Sequence, residues 1–256
     1  MRPLVLALLL LLPGAAAAQT GDGFAWRQHP GRQLDVGAQL TDSSGHRTTL
    51  GALLGTAPAI LDVGYFHCPS LCGVVRSDVF AALGAGGIHL GPDASLIALS
   101  LDASETPADA AQARASDLAR FPAANPAGVQ YVTASASVIQ AVEDAIGLRV
   151  RWDPALKQFL HPAGIVVLTR TGQISAYLLG VGYTGGDLRA AVLRAGDGGI
   201  AQAALPILLL CFHFDSTTGR YTLAVEKLLR LLAGLTVITV AGLVAALAWG
   251  RRTKRA

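Results

Sequence analysis

The sequence predicts an α/β domain, with a central mixed sheet flanked by helices, a β-hairpin before it and a transmembrane helix after it. Three observations predict this. From Ala59 to Arg194, apolar runs of strand length alternate with helical patterns, which is how a chain writes strand-helix-strand crossovers. Around Ser43-Ser44-Gly45 two short extended pieces face each other across a turn composition. Finally, Leu231 to Gly250 contains 20 residues and no charge.

Taken in order, residues 1–18 carry Arg2, an apolar run from Leu4 to Leu12 and small residues Ala15 to Ala18, the layout of a secretory signal. Residues 19–32 are Gly-rich and without period, and read as a linker. A folded domain is expected over 33–196. It begins with strands at Asp35–Leu40 and His46–Leu50. Next come a strand at Ala59–Phe66, a helix at Leu71–Leu83, a strand at Ser95–Leu101 and a helix at Pro107–Arg120, stopped before Pro122. A strand at Val129–Thr133 follows, then a helix at Ser137–Ile146 with Gly147 placed to cap its C-terminus. A strand pair, Ile165–Thr169 and Gln173–Leu179, turns at Thr171-Gly172 and leads to a last helix at Gly186–Arg194. This order implies a mainly parallel sheet to which the final hairpin adds an antiparallel edge. Residues 197–227 are read as a connector.

A helix over 228–250 is long enough to cross a hydrocarbon core of roughly 30 Å at about 1.5 Å per residue. Trp249 suits the interface, and Arg251, Arg252, Lys254 and Arg255 in the tail, 251–256, suit the cytoplasmic side. The expected placement is a single-pass protein of a bacterial-type inner membrane, with the main domain periplasmic and the C-terminus cytoplasmic. The net charge of +3 comes from the two ends; residues 19–250 hold 15 basic and 17 acidic side chains. With no clustered basic stripe left to neutralise phosphates, nucleic acid is excluded as a partner.

Three cysteines, Cys68, Cys72 and Cys211, are too few for a disulfide framework. In Cys68-Pro69-Ser70-Leu71-Cys72 the pair follows a strand and opens a helix, where the helix dipole favours thiolate. A spacing of four puts both side chains on one helical face, about 5–6 Å apart at Cβ. Such a pair in an oxidising compartment is a structural bridge, a redox couple or a metal clamp. Thiolates are soft donors that select Cu(I), and an imidazole accepts Cu(I) and Cu(II) alike. Of the six histidines, His161 stands just before the strand Ile165–Thr169, where its loop can approach the cysteine helix. His67 adjoins Cys68, but at a strand end neighbouring side chains point to opposite faces, so it is read as non-ligating. Asp102, at the end of its strand, is a candidate to orient a ligand or an ordinary carboxylate leading a helix. Cys211 and His213 are read as packing, with a secondary metal or thiol site as the alternative.

The stretch Tyr65-Phe66-His67-Cys68-Pro69-Ser70-Leu71-Cys72 resembles the copper site of the SCO/SenC family, with its CPxxC signature. Leu160-His161, then Ile165 to Thr169 and the turn Thr171-Gly172-Gln173, is similar to that family's histidine and strand-hairpin block. The likeness runs over roughly Gln33 to Ala195 and extends to Leu210-Cys211-Phe212-His213-Phe214-Asp215 before a C-terminal anchor. Family members commonly carry a proline after the second cysteine, where this chain has Gly73, and an anchor at the N-terminus.

The resemblance implies a thioredoxin-like fold and copper held by Cys68, Cys72 and His161. It further implies a role in building the copper A centre of cytochrome c oxidase, the oxidase subunit as partner, an upstream copper donor and a monomeric ectodomain. An alternative stays open: a thiol-disulfide oxidoreductase in which Cys68 attacks and Cys72 resolves, reducing target cysteines before metal loading. A peroxidase variant would need an Arg and a Ser or Thr around the first cysteine, and only Arg76 is near in sequence.

Overall fold

A seven-stranded sheet, a small separate hairpin and five α-helices build the domain in a computed structural model that describes residues 26–68, 72–203, 212–215, 220–223, 234–236, 238–240 and 242. The opening hairpin is β1 (Gln39–Asp42) and β2 (Arg47–Thr49). A short helix α1 (Leu50–Leu54) follows at once, its first turn closed by the Thr49 hydroxyl accepting from the Ala52 amide at 3.2 Å. The expected strand through Leu50 therefore stops one residue early, because Thr49 caps a helix that buries Leu50 and Leu54.

Next come β3 (Ala59–Gly64), α2 (Cys72–Gly86), β4 (Ser95–Ser100) and α3 (Pro107–Arg120). In α3 a capping box between Thr106 and Asp109, with Pro107 in the first turn, fixes the start where the sequence places it. After β5 (Val129–Thr133), α4 (Ala136–Ile146) ends on Gly147 at φ +69, the left-handed cap foreseen from the sequence. A small hairpin, β6 (Arg151–Asp153) and β7 (Gln158–Leu160), then precedes β8 (Gly164–Leu168), β9 (Ile174–Leu179) and α5 (Gly185–Gly196).

The sheet order is β2-β1-β5-β4-β3-β8-β9. Only β3, β4 and β5 run parallel; β1 pairs with β5, and β8 with β3, antiparallel. The expectation of a mainly parallel sheet with one antiparallel edge is corrected: both flanks are antiparallel, because the N-terminal hairpin joins the sheet instead of standing apart. Every residue of β3, β4 and β8 is buried, as strands covered on both faces must be. Ile60, Leu96, Ile165 and Val167 pack under α2 and α5, while Leu61, Ile97, Val166 and Leu168 pack under α1 and α4. The sheet thus lies between two helical layers, consistent with a thioredoxin-like fold.

Residues 26–32, read as linker, are tied to the domain. The Trp26 indole donates to the Ala163 carbonyl at 3.1 Å, the Arg27 amide to Gly147 at 2.7 Å and the Gly31 amide to Ile174 at 2.8 Å. A further strand pair, β10 (Phe212–Asp215) and β11 (Arg220–Leu223), sets His213 opposite Thr222. The secretory signal at 1–18, Cys211 and the tail 251–256 lie outside the described residues. So does most of the expected span 228–250, of which residues 234–236, 238–240 and 242 are helical. Among the described residues no helix is long and apolar enough to cross a membrane.

Candidate metal centre

The site forms at the end of β3, where the chain turns through Tyr65, Phe66 and His67 to Cys68. Cys72 is the first residue of α2 and is buried, whereas Cys68 precedes the helix and is half-exposed. The expectation that both thiols share one helical face is corrected: only Cys72 belongs to the helix. The structure joins neither Cys68 nor Cys72 in a disulfide.

His161 reaches the site from the other side of the sequence. It follows β7 directly and precedes β8, which lies beside β3 in the sheet, so the pairing of β3 with β8 brings the two stretches together. Cys72 Sγ stands 3.6 Å from His161 Nε2 across 89 positions of sequence. Sulfur and nitrogen donors sharing one ion at about 2.3 and 2.0–2.1 Å, at an angle near tetrahedral or trigonal, stand about 3.5–3.8 Å apart. The observed separation fits two ligands of one ion. Cys68 is a hydrogen-bonding neighbour of Cys72. Among the described residues, however, no group of three His, Cys, Asp or Glu side chains is gathered closely enough to hold a metal. The structure therefore assembles Cys72 and His161 and sets Cys68 alongside.

The electrostatics correct a second expectation. The hydrogen bond with Cys68, followed by burial, pushes the Cys72 thiol well above its ordinary range. The dipole of α2 does not activate it, since an effect of about 0.3–1 kcal/mol is outweighed by desolvation and a neighbouring thiol. Burial lowers the His161 pKa below its usual value, keeping a neutral imidazole with a lone pair to give. Its Nδ1 is buried and has no hydrogen-bond partner among the described residues. Tyr65, buried beside the pair, meets the His161 ring edge-on at 6.3 Å, and burial raises its phenol pKa.

The turn to Cys68 is held by a residue that sequence reasoning missed. Glu105, almost wholly buried, accepts from the Phe66 amide at 2.8 Å, the His67 amide at 2.7 Å and the Ser100 hydroxyl at 2.5 Å. It also lies 3.1 Å from His67 Nδ1, while His67 Nε2 is 3.5 Å from Asp109. The His67 ring is thus engaged with carboxylates, as its reading as a non-ligand requires. Asp102 does not orient a ligand: its carboxylate accepts from the Ser104 amide and hydroxyl, at 2.8 and 2.6 Å, and shapes its own loop. Nothing local marked Glu105, because an acid just before Thr106-Pro107 reads as part of a helix start.

Beneath the pair, on the α2 face, Asp62 is buried, and burial, opposed by the charge of Arg76, pushes its carboxyl up to about 6. Arg76 is itself buried and donates to Asp117 at 2.7 Å, and the Tyr131 hydroxyl donates to the same carboxylate at 2.6 Å. Arg76 therefore serves a structural ion pair, which removes the one residue that favoured a peroxidase.

No protein-family model matches the chain, and no curated protein matches it. Solved structures do. A protein from Aquifex aeolicus VF5, provisionally assigned to electron transfer, is 26% identical over 67% of this chain and 96% of its own, with a TM-score of 0.59. A SCO1/SenC family lipoprotein from Bacillus anthracis is 18% identical over 67% of this chain and 99% of its own, TM-score 0.54. ScoI from Arabidopsis thaliana, solved with copper bound, is 17% identical over 64% and 99%, TM-score 0.52. The solved structures that resemble this chain thus include SCO/SenC proteins, and the chain has their fold.

Proposed function

We propose that this chain is a copper metallochaperone of SCO/SenC type. In this reading it holds copper as cargo through Cys68, Cys72 and His161 and delivers it to the copper A centre during cytochrome c oxidase assembly. The observation that carries the proposal is the 3.6 Å approach of Cys72 Sγ to His161 Nε2, a thiol and a neutral imidazole brought together from residues 89 apart. A buried, slightly basic nitrogen facing a soft sulfur suits Cu(I), and the imidazole also accepts Cu(II). The half-exposed Cys68 supplies the third donor by closing on the ion. Release then proceeds by exchange: a thiolate of the recipient binds the copper, and Cys68, the most accessible donor, leaves first. Copper passes between sulfurs without a change of oxidation state. The chain works at a membrane surface outside the cytoplasm, consistent with its apolar ends.

A second reading is favoured by the direct hydrogen bond between the two thiols. Here Cys68 attacks a target disulfide and Cys72 resolves it, with His161 a bystander. Three variants, assayed for copper stoichiometry and for maturation of the copper A subunit, separate the two. Under the copper reading His161→Ala loses stable Cu(II) binding and target maturation, as do Cys68→Ser and Cys72→Ser. A His161→Ala protein that matures the target normally, while both cysteine variants fail, would overturn it in favour of thiol exchange.

A further inference from the structure

The hairpin β6–β7 has no role in the main sheet; it pairs only with itself. It lies between α4 and β8 in sequence and bears His161 directly after its second strand. On it Trp152 is 49% exposed and Leu156 is 54% exposed, two large apolar side chains displayed on one short hairpin. Trp152 is also the outer end of a row of rings. It meets Phe159 edge-on at 4.9 Å, Phe159 meets Tyr65 at 5.8 Å, and Tyr65 meets His161 at 6.3 Å. The exposed indole and the imidazole at the site are therefore packed into one continuous unit.

The hairpin carries two basic side chains and one acid, a net charge of +1. Arg151 and Lys157 are exposed and, among the described residues, have no ion-pair partner, while Arg149 reaches Asp144 at 3.5 Å. The single acid of the hairpin, Asp153, is engaged in its own turn, accepting from the Ala155 and Leu156 amides. An aromatic anchor on a hairpin with two exposed cations is a composition suited to a protein interface, and the net positive charge favours a partner of negative charge.

We propose that the β6–β7 hairpin is the docking element for the copper recipient, an acidic protein surface that presents its own cysteines. The inference rests on the copper-transfer reading and names the chemistry of the partner. A recipient sulfur must come within bonding distance of the ion before copper can move, so whatever receives the metal lands beside His161. The element standing there is this hairpin. A lipid surface also attracts cations and tryptophan, yet it presents no sulfur to the site.

The test uses the full chain and two synthetic dicysteine peptides, one flanked by Asp and Glu, the other by Lys. At low salt the acidic peptide should take Cu(I) from the loaded chain about tenfold faster. The advantage should shrink as salt approaches about 0.15 M, where the screening length falls to about 8 Å. Arg151→Glu combined with Lys157→Glu should reverse the preference while leaving copper stoichiometry unchanged, and Trp152→Ala should slow transfer to the acidic peptide severalfold. Docking is read separately by binding of the same peptides to the metal-free chain, so a chain that holds no copper sinks the copper reading and still tests the hairpin. Equal rates and equal binding for both peptides, or a preference that survives the charge reversal, would overturn the inference. So would tighter hairpin-dependent binding to phosphatidylserine vesicles than to the acidic peptide.

Discussion

Glu105 holds His67 by the main chain and by the ring together, accepting from its amide at 2.7 Å and lying 3.1 Å from its Nδ1. The residue after His67 is Cys68, so this one carboxylate sets where the outer thiol stands. Replacing it by alanine leaves the part-buried Phe66 and His67 amides and the buried Ser100 hydroxyl without their acceptor, at about 1–3 kcal/mol for a fully buried donor and less for a part-buried one. We expect Glu105→Ala to lower stability by roughly 2–4 kcal/mol in denaturant titration. Glu105→Gln, which keeps the volume and one acceptor oxygen, should lose less stability yet weaken copper binding by about 10–100-fold in a chelator competition, the usual effect of disturbing what orients a ligand.

Under the proposed copper function, binding of the metal should be strongly pH-dependent. The Cys72 thiol sits above its ordinary range and is protonated at neutral pH, so the metal must displace that proton. His161, lowered by burial, is already neutral and releases none. Apparent affinity should rise about tenfold per pH unit for each thiol proton displaced, with matching proton release in unbuffered titrations. Affinity that is flat between pH 6 and 8 would contradict this.

The Arg76–Asp117 pair fastens α2 to α3 under the site. Burial alone would raise the Asp117 pKa, but donation from Tyr131, Arg76 and Arg120 outweighs it and holds the group below its ordinary value. Asp117→Ala strands a buried guanidinium and a buried hydroxyl, and should cost about 3–5 kcal/mol. Thermal or denaturant unfolding checks the value, and a loss under 1 kcal/mol would show that the pair is dispensable.

Glu143, buried in α4, is pushed up to about 7 by burial and, secondarily, by Asp144. The folded protein therefore holds this proton over a range in which the unfolded chain, near 4.5, has released it. Stability from this group is full below about pH 4.5 and is lost as pH rises towards 7. Glu143→Gln should stabilise the protein by about 1–3 kcal/mol at pH 8 and change little at pH 4, as read from unfolding at the two pH values.

Gly147 is fixed twice over. Its φ of +69 is a left-handed cap, and a Cβ there would collide with the Arg27 carbonyl. Gly147→Ala should cost more than the roughly 1 kcal/mol of an ordinary left-handed cap and should free residues 26–32, detectable as faster hydrogen exchange at Arg27.

The cap at Gly147 and the helix Pro107–Arg120 were legible in the sequence because short-range chemistry decides them: a left-handed glycine in one case, a Thr-Pro start in the other. The central strands were legible as short, mainly apolar runs. The small hairpin was not, since strands of three residues carry no period, and its hydrophobic residues Trp152, Phe159 and Leu160 look like loop accidents until they are seen stacked. Cys68, Cys72 and His161 were named with the help of the family resemblance, and of them the structure brings Cys72 and His161 together. Glu105 could not be named, because its partners lie 38 and 39 positions away, and the raised thiol of Cys72 depends on burial that no local pattern reports.

The place of β8 beside β3 also dictates a sequence of events during synthesis. Both sulfurs emerge long before the imidazole that is to face them, and the slot next to β3 stays open until residues 164–168 arrive to fill it. A growing chain therefore passes through a stage with two exposed thiols and no nitrogen to guard them. During that interval it is open to stray oxidants and to mispairing, until the sheet is closed.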